Sequence, residues 1–330
     1  MNRRVLILGI EPSGASCTSS LIVLLQEYGW EPAYLDMFGI GGRDWVRNAW
    51  QACAAIFVSF NAVDDWQYRR LLALTAVGTP IIRWWVGTNV LRAVNEQDTR
   101  VAALRFSRVV ADNVAVSGHL GTELRGIGMS SRTIGIPGRL APAGPQPWEA
   151  GLSRAILVYL PEHLEDFYGG RLLDQLVSKR KDTVFYLLAN SGKRYAGCGN
   201  VVPLDWTADM MGVYRKVGCL LRITEHDGLP RMIQEALMLG KYVIYSWPLD
   251  GCFLATDLAE VHTALSEVAG KTEANLAGKE AWSRLFSPDA FSRSFTQLMA
   301  EASTKRCRVS CRAWTLLPGT LVRKCAARET

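Results

Sequence analysis

The sequence predicts an α/β protein built as two parallel-sheet domains, and three observations carry that expectation. Short runs rich in Val, Ile, Leu, Phe and Tyr alternate with stretches of helical spacing along most of the 330 residues. Such alternation calls for parallel strands with helices covering both faces of the sheet. The segment Ala141-Pro-Ala-Gly-Pro-Gln-Pro-Trp148 places prolines at 142, 145 and 147, which makes it stiff and extended, and the alternation starts afresh beyond it. The chain is also long enough for two domains of ordinary size.

Taken in order, Val5 to Ile10 reads as a buried first strand that Glu11-Pro12 ends. The small-residue loop Glu11 to Ser16 leads into a helix whose Cys17, Leu21, Leu24, Leu25 and Tyr28 share one face, with Gly29 as its stop. Ala33–Leu35, Ala54–Phe60 and Pro80–Val86 are the second, third and fourth strands, and Val109–Ala111 and Thr133–Ile136 are shorter ones. Helical stretches fall between them, around 44–52, 64–76, 96–104 and 117–127. Beyond the linker come the strand Ala155–Leu160, a helix around 169–180, the strands Val184–Leu188 and Val201–Leu204, a helix near 207–216 and the strand Cys219–Ile223. The division by chain order is 1–145, 146–304 and a basic, cysteine-containing tail, 305–330, with no sustained helical or strand period.

Composition excludes several classes. Apolar residues make up 49% and charged residues 21%, a folded rather than a disordered balance. No apolar run approaches the roughly 20 residues of a spanning helix. Asn2-Arg3-Arg4 and the short apolar run after it do not make a signal peptide, so a cytoplasmic protein is expected. The net charge of +6 belongs to the tail: residues 305–330 hold seven bases and one acid, and the rest of the chain balances 30 against 30. Total charge is therefore no sign of a nucleic-acid-binding body, although a basic arm for an anionic surface remains an expectation for the tail. Cys17, Cys53, Cys198, Cys219 and Cys252 lack ligand spacing and read as small core residues. The tail cysteines Cys307, Cys311 and Cys325 have no histidine beside them, and no metal site is expected.

The stretch Arg222 to Ser246 carries the most chemistry. It reads as a strand end, an acidic turn, a short helix and a second strand. Asp227 is placed to cap the helix, Gly228 to make the turn and Pro230 to occupy its first position. Met232, Ile233, Ala236, Leu237 and Leu239 have helical spacing, and Gly240 stands where a left-handed residue ends a helix. A strand–turn–helix of this kind directs free backbone N–H groups toward a phosphate or a polar sugar. Two carboxylates stand out, Asp227 in the turn and Glu235 eight positions later.

The run Asp227-Gly-Leu-Pro…Glu235-Ala-Leu-Met-Leu-Gly-Lys-Tyr-Val-Ile resembles the donor-binding signature of family 4 glycosyltransferases. Those enzymes have the GT-B architecture, two Rossmann-like domains facing a cleft. The family more often has Glu where this chain has Asp227. The resemblance covers roughly residues 5–302, strongest at 219–246 and weaker at 109–138, and it implies terminal helices at Ala281–Pro288 and Phe291–Ala302. It implies that Glu235 holds the nucleotide ribose, Asp227 the donor sugar, and the Gly228, Leu229 and Pro230 turn the sugar and diphosphate. It also implies acceptor-side lining by Ser13 and Gly14, and by Gly87, Thr88 and Asn89 after the Trp84-Trp85 strand end. His119, on the helix that follows Ser117, reads as structural.

One departure matters. Where many members carry an Arg and a Lys for the diphosphate, this chain reads Leu160-Pro-Glu-His-Leu-Glu-Asp-Phe-Tyr-Gly-Gly-Arg171. Arg171 and Arg231 are the expected substitutes, and Trp206 the residue to stack on a base. The implied activity is retaining, metal-independent transfer from a UDP- or GDP-linked sugar, a co-substrate rather than a cofactor, to a glycan or other hydroxyl. Two alternatives stand beside it: transfer to hydroxymethylated bases in DNA, and a GT-B relative that only binds nucleotide or glycan.

Overall fold

The structure, a computed structural model, describes residues 3–9, 12, 16–36, 42–58, 65–76, 78–138, 148–149 and 151–316; within 42–46, 65 and 305–316 the description stops at the backbone. Ser13, Gly14 and most of the proline linker lie outside the described residues.

The first sheet contains β1 (Arg4–Gly9), β2 (Glu31–Leu35), β3 (Ala54–Val58), β4 (Ile81–Trp85), β5 (Asp112–Ala115) and β6 (Arg132–Thr133). Its order is β2-β1-β3-β4-β5-β6, and every pairing is parallel. Among the described residues six helices connect the strands: α1 (Cys17–Glu27), α2 (Gly42–Gln51), α3 (Asp65–Ala76), α4 (Thr88–Asn95), α5 (Gln97–Ser107) and α6 (Gly118–Gly126). Leu6, Leu8, Phe57 and Ile81 pack on Tyr68, Leu71 and Leu72 of α3 and Phe106 of α5. Both faces are buried, which explains why Val5–Leu8 of β1 and Ala54–Val58 of β3 are continuously apolar rather than alternating.

The second sheet contains β7 (Ala155–Tyr159), β8 (Val184–Leu188), β9 (Val201–Asp205), β10 (Cys219–Arg222), β11 (Tyr242–Tyr245) and β12 (Phe253–Leu254). Its order is β12-β11-β10-β7-β8-β9, again all parallel. The helices are α7 (Gly170–Lys179), α8 (Met210–Arg215), α9 (Arg231–Met238), α10 (Leu258–Ala269) and α11 (Leu276–Leu285). Ile156 and Val158 face α7 and α10, whereas Leu157 faces Tyr214, Ile233 and Leu237 of α8 and α9. This alternation along β7 gives the sheet a core on each side.

Packing divides the chain differently from chain order. Met1–Pro137 and Pro288–Thr330 form one compact unit and Gly138–Ser287 the other. The last helix, α12 (Pro288–Leu316), belongs with the first sheet, not the second. Phe291, Phe295, Leu298, Met299 and Ala302 are buried there, and Trp30 meets Phe295 edge-on at 5.1 Å. Tyr28 Oη donates to Asp289 Oδ1 at 2.9 Å, and Arg132 Nη2 joins Asp112 and Glu301 at 2.6 and 2.5 Å. The helix also runs twelve residues into the tail, where no helical period was expected. Lys, Arg, Ala and Leu favour helix without an apolar stripe.

Two strand expectations shift. Val109–Ala111 lies between α5 and the strand, which begins instead at the polar pair Asp112-Asn113. Buried Asn113 is admitted because its Oδ1 accepts Trp85 Nε1 at 3.1 Å. The last strand of the first sheet is only Arg132–Thr133. Trp84 and Trp85 are both fully buried, because a sheet covered on both faces takes one indole on each side. Trp84 lies against Phe291 and Phe295 at 6.1 and 6.4 Å. Trp85 lies under the Arg83 guanidinium at 3.6 Å, and burial pulls that group down to about 9.

Candidate functional site

In the second sheet the strand order reverses between β7 and β10, which are neighbours although far apart in the chain. Loops leaving the carboxyl ends of strands at such a point diverge and leave a crevice, the usual ligand position in open α/β sheets. Three adjacent strands end there on Tyr159, Arg222 and Tyr245. The sequence stretch singled out above is the loop and helix that follow β10.

Arg222 is 7% exposed. Its Nε donates to Asp227 Oδ2 at 2.6 Å, and Asp227 Oδ1 accepts the Gly228 N–H at 2.9 Å. The guanidinium also lies 5.1 and 5.2 Å from the ring centroids of Tyr159 and Tyr168, cation–π distances. Burial opposes its charge, but the charge and hydrogen bond of Asp227 outweigh that, and the group is held above its ordinary value. Tyr245 Oη is buried with no hydrogen-bond partner among the described residues; burial first, and then the charge of Asp227, push its pKa up.

The turn is tied down on both sides. Ser246 Oγ accepts the Thr224 N–H at 3.1 Å and donates to Thr224 O at 3.0 Å, and Thr224 Oγ1 donates to His226 O. Glu225 N donates to Phe167 O at 3.1 Å, joining the loops after β7 and β10. Gly169 between them has φ +77°, and a Cβ there would meet Ile223 at 3.1 Å, so only glycine suits that close approach.

Asp227 does not cap α9, because its carboxylate is engaged with Arg222 and Gly228. The N-cap residue is Pro230, with no side-chain cap, and the helix begins at Arg231. Glu235 therefore stands just over one turn into the helix. The other end matches expectation: Gly240 has φ +73°, its N–H donates to Leu237 O, and Lys241 N donates to Ala236 O, a Schellman ending.

Glu235 is half-buried, and its Oε2 accepts the Tyr214 hydroxyl at 2.9 Å. Tyr214 is fully buried and also reaches Met232 O at 3.2 Å. Burial raises the Glu235 pKa, with the Tyr214 hydrogen bond and the charge of Arg231 pulling the other way. Beside it, buried Gln234 accepts the Gly138 N–H at 3.0 Å, and Gly138, Gln234, Glu235, Met238 and Trp282 line a small recess. Glu235 lines that recess with one oxygen held by a phenol, and an ionised carboxylate can accept from further hydroxyl donors.

The acidic loop after β7 is balanced within the unit. Arg194 pairs with Glu165 at 2.8 Å and Asp174 at 2.5 Å, and Arg171 pairs with Asp166 at 3.0 Å. Ser191 donates to Glu162 through N–H and hydroxyl, which holds that carboxyl below its usual value. The Arg171 side chain is 84% exposed on α7. Gly228, Leu229, Pro230 and Arg231 are all half-buried around the turn, whereas Trp206 stands 75% exposed beyond β9.

Gly87, Thr88 and Asn89 belong to the first unit. Gly87 (φ +46°) opens α4, Thr88 is exposed, and buried Asn89 accepts the Val86 N–H at 2.9 Å. His119 Nε2 lies 3.4 Å from Ser117 Oγ. Arg222, Tyr159, Tyr168, Tyr214 and Tyr245 were absent from the expected site. Arg222 alone had a sequence signal, a charge inside the apolar run Cys219-Leu-Leu-Arg-Ile.

A larger pocket of about 380 Å³ lies at the opposite strand ends, lined by Tyr242, Cys252, Phe253, Lys271 and Asn275. Size does not make it the better candidate: its lining holds no carboxylate–guanidinium arrangement, and Asn275 is bonded to Lys241 O, Gly251 O and Gly278 N. Among the described residues no His, Cys, Asp and Glu side chains group to hold a metal, and no helix is long and apolar enough to cross a membrane.

No family model and no curated protein matches the sequence. Solved structures do match the fold. Anabaena Alr3699/HepE in complex with UDP aligns at TM-score 0.66 and 14% identity, over 90% of this chain and 99% of that one. Its complex with UDP-glucose gives 0.64 at 14% identity over 90% and 99%. Sucrose-phosphate synthase from Thermosynechococcus elongatus gives 0.62 at 11% identity over 91% and 99%. The chain shares the α/β, two-sheet GT-B fold of these proteins.

Proposed function

From a GT-B fold with Arg222, Asp227 and Glu235 at the switch point of its second sheet, we propose that the protein transfers a sugar from a nucleotide-sugar donor to a hydroxyl acceptor. The observation that carries the reading is the β10–turn–α9 unit. Asp227, paired with Arg222, and Glu235, lining a recess with one oxygen on Tyr214, are the two carboxylates of the donor-binding signature. The HepE structures hold UDP and UDP-glucose, which makes a uridine-linked hexose the first donor to test.

In this reading Glu235 accepts from the ribose hydroxyls, with its second oxygen fixed by Tyr214. The α9 N-terminus, the Leu229 N–H and Arg231 face the phosphates and the sugar. As the anomeric carbon–oxygen bond breaks, its electron pair leaves with the diphosphate. The acceptor oxygen forms the new bond on the same face, and its proton passes to the departing phosphate. The protein then positions the groups and stabilises the leaving charge, and no metal takes part.

The test is a thermal-shift panel of UDP, GDP, ADP, CMP and their sugars, followed by assay of hydrolysis of the best donor. A ligand at a hundred times its Kd adds about 2.7 kcal/mol, a readable shift. Stabilisation by one nucleoside diphosphate and slow release of its sugar are expected. No shift with any of them refutes the reading.

A further inference from the structure

The loop that should supply cations for the diphosphate is acidic, and its charges are balanced by Arg171 and Arg194. The same unit holds one more guanidinium at the crevice, built in from three sides. Arg222 ends β10, lies near the rings of Tyr159 and Tyr168, and gives only its Nε to Asp227.

Neither terminal nitrogen of Arg222 hydrogen-bonds to a described residue. Unlike the Oη of Tyr245, they are not among the atoms sealed from solvent without a partner. Guanidinium is planar with five N–H donors, so a carboxylate on Nε leaves the end edge free for two parallel bonds to another oxyanion. Fixing that edge by burial, aromatic packing and a salt bridge removes the entropy that a long cation otherwise loses on binding.

We propose that Arg222 is the diphosphate-binding cation of this protein, with Asp227 as the positioning residue that orients its guanidinium. This rests on the glycosyltransferase reading and replaces Arg171 in it. The chemistry recognised is a phosphoryl oxyanion next to the α9 N-terminus, which opens without a side-chain cap. Asp227 then acts on the donor through Arg222. Its charge also keeps the buried cation from drawing in an unrelated anion when the crevice is empty.

The experiment is isothermal titration of UDP against uridine, GDP against guanosine and ADP against adenosine, on wild type, Arg222→Lys, Arg222→Met and the double variant Arg222→Met/Asp227→Asn. The double variant removes both charges, so it folds without a buried unpaired ion. Wild type is expected to prefer one diphosphate over its nucleoside. That preference should fall about 10- to 100-fold in Arg222→Met and in the double variant, with nucleoside affinity kept. Arg222→Lys keeps a cation for Asp227 but loses the two-pronged edge, so it should fall between.

A folded double variant, or Arg222→Lys, that keeps the full wild-type preference overturns the assignment. If those variants bind normally while Glu235→Ala loses nucleoside affinity, the glycosyltransferase reading stands and this inference alone fails. A wild type that binds none of the six probes overturns both.

Discussion

Glu235→Ala separates a ligand-holding carboxylate from a structural one. The carboxylate is half-buried, and one oxygen is occupied by the Tyr214 hydroxyl at 2.9 Å. Removing it costs the protein little in stranded polar groups, because Tyr214 still reaches Met232 O at 3.2 Å. Removing it costs a nucleotide a charged hydrogen-bond partner, about 1.5–3 kcal/mol, or roughly 10- to 100-fold in Kd. Titration calorimetry with the best nucleoside diphosphate measures this, with a thermal melt to show that the variant is folded.

The pH dependence supplies a second, independent readout. Burial raises the Glu235 pKa, so the folded state takes up a proton at a higher pH than the unfolded chain. A ligand hydroxyl bonds better to the ionised form. Nucleotide affinity should therefore weaken as pH falls through the raised pKa, and Glu235→Gln should flatten that dependence. For stability the sign is opposite. The raised pKa makes wild type lose stability as pH rises from the unfolded to the folded value, and Glu235→Gln should abolish that loss. A folded Glu235→Ala with unchanged nucleotide affinity refutes the ribose role.

Four further changes test the packing within each unit. Asp227→Ala leaves Arg222 buried without its partner and should lower unfolding free energy by about 3–5 kcal/mol, read by urea titration; a loss under 1 kcal/mol would contradict the buried pair. Lys241 is 2% exposed, and burial pulls its ammonium down to about 8. The folded state is penalised for the charged form below that pH, so Lys241→Met should raise Tm at pH 7 and lose the advantage by about pH 10.5, where the unfolded amine also titrates. A lower Tm at pH 7 would show that the ammonium is well solvated. Phe295 is fully buried against Trp30 and Trp84, and Phe295→Ala should cost about 3–5 kcal/mol, whereas truncation after Thr304 should leave the melt of the body unchanged. A cheap Phe295→Ala would deny α12 its place in the first unit.

What could be read locally was legible. Gly240 announced a left-handed helix end, and the apolar runs announced strands buried on both faces. Alternation of the two periods announced parallel sheets. Asp112-Asn113 misled because polar residues in a strand make sense only once the partner, Trp85 Nε1, is known. Asp227 misled in the same way, since an acid before a helix is a cap by default and here a buried arginine claims it.

The sequence by itself determined the two sheets, the turn–helix with Asp227 and Glu235, and the resemblance that gave them a meaning, because helix and strand periods and turn chemistry are set within a few neighbouring residues. Only the tertiary structure decided which side chains surround Arg222 and which unit takes the last helix. Strand order places β10 between β7 and β11, so Tyr159, Arg222 and Tyr245 become neighbours across long stretches of chain. The hydrophobic faces of Trp30, Trp84 and α12 likewise find each other only when the chain returns at Pro288.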